Sequence, residues 1–139
     1  MADLVPIEAN VTISESVGGQ RVEIVQAGEA IARGEVYYKN ATDSNKAYLA
    51  QCDDTAKREA AGVCLSQAGV DGFIVGLVAG QYVVGAPILI PNDYVLSQTP
   101  GKIAPRSDLT TGDTVVELFN VASTTEGVLK INNTRIVVP

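Results

Sequence analysis

From Gly72 to Asn92 the chain carries no charged side chain. Such a run is long enough to raise the question of a membrane helix, which needs about 20 apolar residues. The spacing Gly76-Leu77-Val78-Ala79-Gly80 even matches the small-xxx-small pattern of helix pairs in bilayers. Three features oppose a helix: Gly76, Gly80 and Gly85 interrupt the run, Pro87 sits inside it, and no Lys or Arg flanks it closely. The run therefore predicts strands, Phe73–Val78 and Gln81–Val84 reversing around Ala79-Gly80, followed by Pro87–Ile90. Being apolar at successive positions, these strands are expected to be covered on both faces, in a core or at a subunit contact.

The rest of the chain uses the same vocabulary. It holds 19 Val, 10 Ile and 10 Thr against 9 Leu, a β-branched excess that favours strands over helices. The 13 Gly and 6 Pro are spread along its length, as turns between many short strands require. With 139 residues it has material for one core, so the fold expected is mainly β, a single small β-barrel or β-sandwich. Residues 1–20 read as an extended N-terminal arm and first strand, and residues 21–139 as the β-rich domain. Strands are expected at Arg21–Val25, from Val36 onward, and at Ala47–Gln51, Val63–Ser66, Val95–Ser97, Lys102–Ala104, Thr114–Phe119, Val128–Ile131 and Arg135–Val138. One short α-helix is predicted near residues 54–61, with Asp53 or Asp54 as its cap, an Ala-rich body Thr55–Ala61 and Gly62 closing it.

Composition removes several chemistries. There is no histidine, which excludes Ser-His-Asp and Cys-His nucleophilic sites and every His-containing zinc site. Lys and Arg total 10 against 16 Asp and Glu, a net charge of −6 with no basic cluster, so nucleic acid is not an expected partner. Cys52 and Cys64 lack the spacing of a four-ligand metal site and read as buried or half-buried reduced thiols, with a disulfide between them open only for a protein that ends up outside a cell. The acidic N-terminus has no basic n-region or apolar h-region, so synthesis in a cytoplasm is expected and no membrane association. The densest carboxylate group, Asp53-Asp54 with Glu59, could in principle divide acid and base roles, but Asp ahead of a helix reads first as a cap. Asp43-Ser44-Asn45 is a fragment of a calcium loop without its closing Gly and Glu. Asn10-Val11-Thr12, Asn40-Ala41-Thr42 and Asn132-Asn133-Thr134 match the glycosylation triplet but lack a secretory context. Tyr37, Tyr38, Tyr48 and Tyr82 read as packing residues in preference to a ligand-stacking surface. No catalytic residue, cofactor or metal is therefore expected, and the chain is not expected to be an enzyme.

Four features stand in order along the chain. The first is Ala27-Gly28-Glu29-Ala30-Ile31-Ala32-Arg33-Gly34-Glu35-Val36-Tyr37-Tyr38, with its repeated Gly-Glu. The second is the Ala-rich segment Thr55–Ala61 running into Gly62-Val63-Cys64-Leu65, and the third the apolar stretch ending Val78-Ala79-Gly80. The fourth is Ile103-Ala104-Pro105 leading to Asp108-Leu109-Thr110-Thr111-Gly112-Asp113. Together, over residues 20–137, they resemble the phage capsid decoration proteins, also called cement proteins, a family of small β-rich head-stabilising proteins. The closing region departs from the family, which often has a Gly-Xaa-Ala step where Phe119-Asn120-Val121-Ala122 stands here. The repeated Gly-Glu is also similar to turns of biotinyl and lipoyl carrier domains, but the lysine motif those carriers modify is missing.

The resemblance implies a virion component without enzymatic activity that binds the outer surface of an assembled capsid. It implies the major capsid protein as partner, and self-association, commonly as a homotrimer at three-fold or quasi-three-fold positions. The apolar cluster Leu4, Val5, Pro6 and Ile7, ahead of the first recognisable strand, is the expected contact with the capsid or a neighbouring subunit. The competing reading from another class is a small carbohydrate- or ligand-binding β-domain, such as the base of a head fibre that touches a host surface. A carboxylate-dependent hydrolase is the third.

Overall fold

A computed structural model describes residues 3–14, 18–88 and 94–139. It is a curled, half-barrel antiparallel sheet of ten strands. These are β1 (Thr12–Ile13), β2 (Arg21–Gln26), β3 (Val36–Asn40), β4 (Lys46–Leu49), β5 (Gly62–Ser66), β6 (Phe73–Val83), β7 (Tyr94–Leu96), β8 (Ile103–Pro105), β9 (Thr114–Val121) and β10 (Glu126–Val137). Helical structure among the described residues is confined to three single 3-10 turns, Glu8–Asn10, Ala41–Asp43 and Arg106–Asp108. No helix among them is long and apolar enough to cross a membrane.

The architecture hangs on β6, the longest part of the uncharged run. One of its edges pairs first with β5, at residues 75–77, and then with β10, at residues 79–83. The other edge takes β2 and then β1. Two wings therefore leave the same edge of one strand: β5-β3-β4 and β10-β9-β7-β8. The first wing curls until Ala27, just after β2, meets Ala47 of β4 in a parallel bridge. This wing encloses the smaller core, including Val25, Ile31, Tyr37, Cys64 and Ile74. The larger core, with Leu77, Tyr82, Leu96, Leu118, Phe119 and Leu129, lies under the second wing.

The segment after β4 joins the two wings. Ala50 N–H donates to the Val36 carbonyl at 3.0 Å, Gly101 N–H to Ala50 at 2.7 Å, and Val36 N–H to Gly101 at 2.9 Å. Beyond them Cys52 N–H donates to Ser97 at 3.0 Å and Thr114 N–H to Cys52 at 2.9 Å. Backbone groups that a short loop would leave unpaired are thus satisfied across the molecule.

Three expectations need correction. The predicted reversal at Ala79-Gly80 does not occur, and β6 runs straight through it. A two-residue hairpin of the favoured kind needs positive φ at its first central residue; Gly80 has φ +119° but Ala79 is not in that region. Instead the register against β2 shifts between Arg21 and Val22, a bulge that changes the alternation. Leu77 before the shift and Tyr82 and Val84 after it, an odd spacing apart, consequently reach the same core. Of the next predicted strand, Pro87 and Ile88 are not in a strand, and Leu89 and Ile90 lie outside the described residues.

The predicted α-helix near residues 54–61 is absent. Thr55–Lys57 forms only a turn, in which the Asp54 carboxylate accepts from Ala56 N–H at 2.9 Å. A segment of this length cannot hold a helix without packing, and its only apolar side chains are Ala56, Ala60 and Ala61. Its backbone bonds elsewhere: Ala61 N–H to the Tyr37 carbonyl, and Ala60 to both ends of the Asn133 amide. Finally, the two predicted C-terminal strands are one, β10, with register shifts against β9 after Leu129 and Asn133. Arg135, at φ 59°, and the Thr134 hydroxyl, which donates to the Val115 carbonyl and accepts from Ile136 N–H, carry the second irregularity.

Tyr37 fixes the inner wing. Its ring is fully buried, its hydroxyl donates to Glu23 Oε1 at 2.8 Å, and the other Glu23 oxygen takes Lys39 Nζ at 2.7 Å. The ring lies over Gly76 of β6 and Gly62 of β5; a Cβ at Gly76 would stand 1.9 Å from the hydroxyl and 2.6 Å from the ring carbon bearing it. Gly76→Ala is therefore expected to destabilise by about 2–3 kcal/mol through overpacking, whereas Gly69→Ala, in open space, should stay within about 0.5 kcal/mol in urea unfolding. Tyr82 presents the opposite case, since its buried hydroxyl has no hydrogen-bond partner among the described residues. Tyr82→Phe removes an unsatisfied group, so the same measurement should show unchanged stability or a gain of about 1 kcal/mol.

Candidate interaction surface

The N-terminal arm is laid on the body of the protein in an extended conformation. Leu4 N–H donates to the Ile103 carbonyl of β8 at 2.8 Å, and Ile7 N–H to the Gly85 carbonyl at 2.8 Å. Asp3 accepts from the Ser97 hydroxyl at 2.6 Å, which ties down the start of the described chain. An extended segment sends alternate side chains to opposite sides, and the exposures follow that rule. Leu4 packs against the larger core and Pro6 sits near Gly34 and Gly85, while Val5 is 82% and Ile7 62% exposed. The apolar cluster is thus split into an anchoring pair, Leu4 and Pro6, and a presented pair, Val5 and Ile7.

Beside Ile7 of the presented pair lies an open apolar groove of about 580 Å³ between the Glu8–Asn10 turn and the chain after β6. Ile7, Thr12, Val83, Gly85, Pro87 and Thr125 line it. Gly85, at φ 83°, lets the backbone turn there; a Cβ on it would meet Val11 Cγ2 at 2.9 Å and the Ile7 carbonyl at 3.0 Å. A second concavity of about 380 Å³ lies over β7, β9 and β10, and is polar, with Arg106, Lys130, Glu117, Asn120 and Asn132. Its floor is Tyr94 stacked on Phe119 at 5.3 Å, both rings buried.

The remaining candidates from the sequence occupy structural positions. Asp53 accepts from Gln51 Nε2 at 2.9 Å, Asp54 holds the turn described above, and Glu59 pairs with Arg135 Nε at 2.7 Å. The three carboxylates are thus divided among separate contacts. Asp43 accepts from the Tyr48 hydroxyl and faces Lys46 Nζ at 3.9 Å, while Ser44 and Asn45 make the left-handed turn into β4. No group of three or more Cys, Asp or Glu among the described residues is placed to hold a metal ion. Tyr37, Tyr38 and Tyr82 are buried, and Tyr48 packs on the larger core with its ring 6.1 Å from Tyr38. Asn40 caps the Ala41–Asp43 turn by accepting from Thr42 N–H, and Asn132 donates to Glu117 Oε1 at 3.2 Å.

Cys52 and Cys64 are free, buried and in different cores. Burial pushes the Cys52 thiol up to about 12, reinforced by the nearby Asp113 and Asp53 carboxylates. It pushes Cys64 up to about 11, against a smaller opposing contribution from the Ser66 backbone. These thiols bind protons more tightly folded than unfolded, so stability is complete below the unfolded thiol value near 9 and falls as pH rises through about 11 and 12. Melting temperature measured against pH should accordingly decline from about pH 9. At about pH 8, an aromatic disulfide reagent should label neither thiol in the native protein and both in denaturant. Comparison with protein-family models, curated proteins and solved structures finds no match.

Proposed function

We propose that this chain is a structural virion protein that binds the outer surface of an assembled phage capsid and bridges its major subunits, as a homotrimer. The observation that carries the reading is the split arm. A segment anchored through Leu4 and Pro6 and presenting Val5 and Ile7 beside an apolar groove is suited to gripping another protein's surface. Two exposed aliphatic side chains give a modest contact singly, but a trimer presents three such arms together. Linked contacts raise one another's effective concentration, so the assembly holds where one arm would dissociate. The ordered four-part resemblance between Ala27 and Asp113 supplies the identity of the surface. An acidic protein on the outside of a head also avoids competing for the packaged nucleic acid.

A second reading, a small carbohydrate- or ligand-binding domain, is favoured by the polar concavity between Arg106, Lys130, Asn120 and Asn132. Its amides and charged groups could serve a polyhydroxylated ligand, although its aromatic floor is buried and offers no open stacking face.

Mixing the protein with expanded, undecorated capsids and imaging them separates the two. Ordered density on the shell is the expected result, and bare shells with binding to a glycan panel would replace this reading by the second. Because Leu4 and Asp3 also bond to the body, the sharper variant is Val5→Ser with Ile7→Ser, which leaves the anchoring pair in place. The double variant should fold as the parent does and lose capsid binding by at least about tenfold, since each buried aliphatic side chain contributes roughly 1.5–3 kcal/mol. Parental occupancy by this variant would remove the arm from the contact.

A further inference from the structure

We infer that the concavity over β7, β9 and β10 is a binding site for a singly charged, hydroxyl-bearing carboxylate, the chemistry of an acidic sugar. The backbone is built around it. β9 loses register against both neighbours at one residue, Leu118: Lys130 and Ile131 of β10 oppose it together, because Leu129 pairs with Phe119 and Asn132 with Glu117. On the other side Tyr94 and Val95 of β7 pair with Phe119 and Glu117, which leaves Leu118 over. Bulges of this kind bend a strand and re-aim its side chains, and they are over-represented next to active sites. Two of them flank one position of β9, and the concavity of about 380 Å³ lies over it, within the range of small-molecule sites, roughly 300–1,000 Å³. Arg106 reaches the same place from a different element, since Pro105 ends β8 opposite Tyr94 and Arg106 opens the 3-10 turn that follows.

The polar groups choose the ligand. Among the described residues the side chains of Arg106, Lys130 and Asn120 have no hydrogen-bond or ion-pair partner, and Asn132 donates to Glu117 Oε1 at 3.2 Å. Guanidinium, ammonium and amide groups together present more donors than the site has acceptors, so an acceptor-rich ligand completes it. Charge narrows the class. Two cations, Arg106 and Lys130, against one carboxylate, Glu117, leave a positive surplus in a chain of net charge −6. A carboxylate neutralises that surplus, whereas a neutral sugar leaves it without a counter-charge. A phosphate monoester, at about −1.5 to −2, overshoots it and sets its extra negative charge against Glu117. The Arg106 guanidinium offers a carboxylate a planar fork of N–H groups. The amides of Asn120 and Asn132 and the Glu117 carboxylate suit hydroxyl groups, which both donate and accept. Because Tyr94 and Phe119 are buried, ring stacking is not available and recognition falls to these polar groups.

The inference rests on the ligand-binding reading of this concavity, whose ligand class it names, and requires nothing of the capsid. The test is to titrate the isotope-labelled whole protein with glucuronate, glucose and glucose 6-phosphate while following its backbone amide resonances. Glucuronate should shift the amides of Val95, Asn120 and Asn132, with glucose weaker by at least about tenfold and glucose 6-phosphate weaker than glucuronate. Added salt should weaken glucuronate binding. Arg106→Gln and Lys130→Gln should each lower glucuronate affinity by about tenfold, the loss of one charge-assisted hydrogen bond. Both side chains are exposed, so the circular dichroism spectrum and melting curve of each variant should match the parent's. Glu117→Gln, which removes the negative charge from the site, should narrow the gap between glucuronate and glucose 6-phosphate. Equal binding of glucose would refute the acidic class and leave the carbohydrate reading standing. Tighter binding of glucose 6-phosphate than of glucuronate would refute the charge match. Glucuronate shifts that Arg106→Gln and Lys130→Gln leave unchanged would put the ligand elsewhere and overturn the inference, as would no shift with any of the three. In that last case capture by a glycan panel would keep the carbohydrate reading without this site, and no capture would remove both.

Discussion

Everything in this fold is positioned by one strand that has to satisfy four neighbours. β6 offers β5 and β10 successive stretches of one edge, and β2 and β1 successive stretches of the other. A strand buried this way cannot carry a charged side chain on its inner faces without a large desolvation cost, which accounts for the uncharged run. Nor can it be uniformly bulky. Gly76 must stay bare because Tyr37 lies on it, and Gly80 adopts φ +119° with the Gln20 backbone only 2.7 Å from where a Cβ would stand. Gly76 and Gly80, which interrupt the run, are sites of close approach between β6 and its neighbours.

That explains which parts of the fold the sequence disclosed. Strand type was legible nearly throughout, because β-branched residues and alternation report on local backbone preference, and β2, β5, β7, β8 and β9 lie close to their expected places. What failed was the interpretation of interruptions. Ala79-Gly80 was readable as a hairpin tip, Asn132-Asn133-Thr134 as a gap between strands and Thr55–Ala61 as a helix. In each case the outcome depended on a distant partner: Gln20 against Gly80, Val115 against Thr134, Asn133 against Ala60. Such contacts leave no mark on local spacing. Asp54 illustrates the limit, since its capping chemistry was recognised and only the element it caps was wrong.

The candidate surface divides along the same line. That Leu4, Val5, Pro6 and Ile7 are apolar and precede the first strand is visible in the sequence. Which two face the body is set by the Ile103 and Gly85 carbonyls that fix the arm's register. The exposed apolar face formed by Val22, Ile24 and Phe73 was less accessible still. Val22 and Ile24 alternate with Glu23 and Val25, which reads as an ordinary half-buried strand with either side inward. Only the ladder to β6 reveals that Val25 joins the smaller core with Ile74 and that Ile24 faces out.

The exposed apolar residues Val22, Ile24 and Phe73 and an acidic surface pull in opposite directions, and each supplies what the other lacks. Hydrophobic contact is non-directional, so Ile24 and Phe73 alone would invite association with any apolar surface. Net charge of −6 opposes close approach between copies in most orientations. The Glu23–Lys39 pair faces the other side of β2, and near Phe73 Lys46 alone offsets Asp43 and Asp71. Raising ionic strength weakens the repulsion while leaving apolar burial nearly untouched. Selectivity among orientations therefore depends on salt more strongly than does the strength of the contact itself, as follows when charge excludes wrong partners and burial holds the right one.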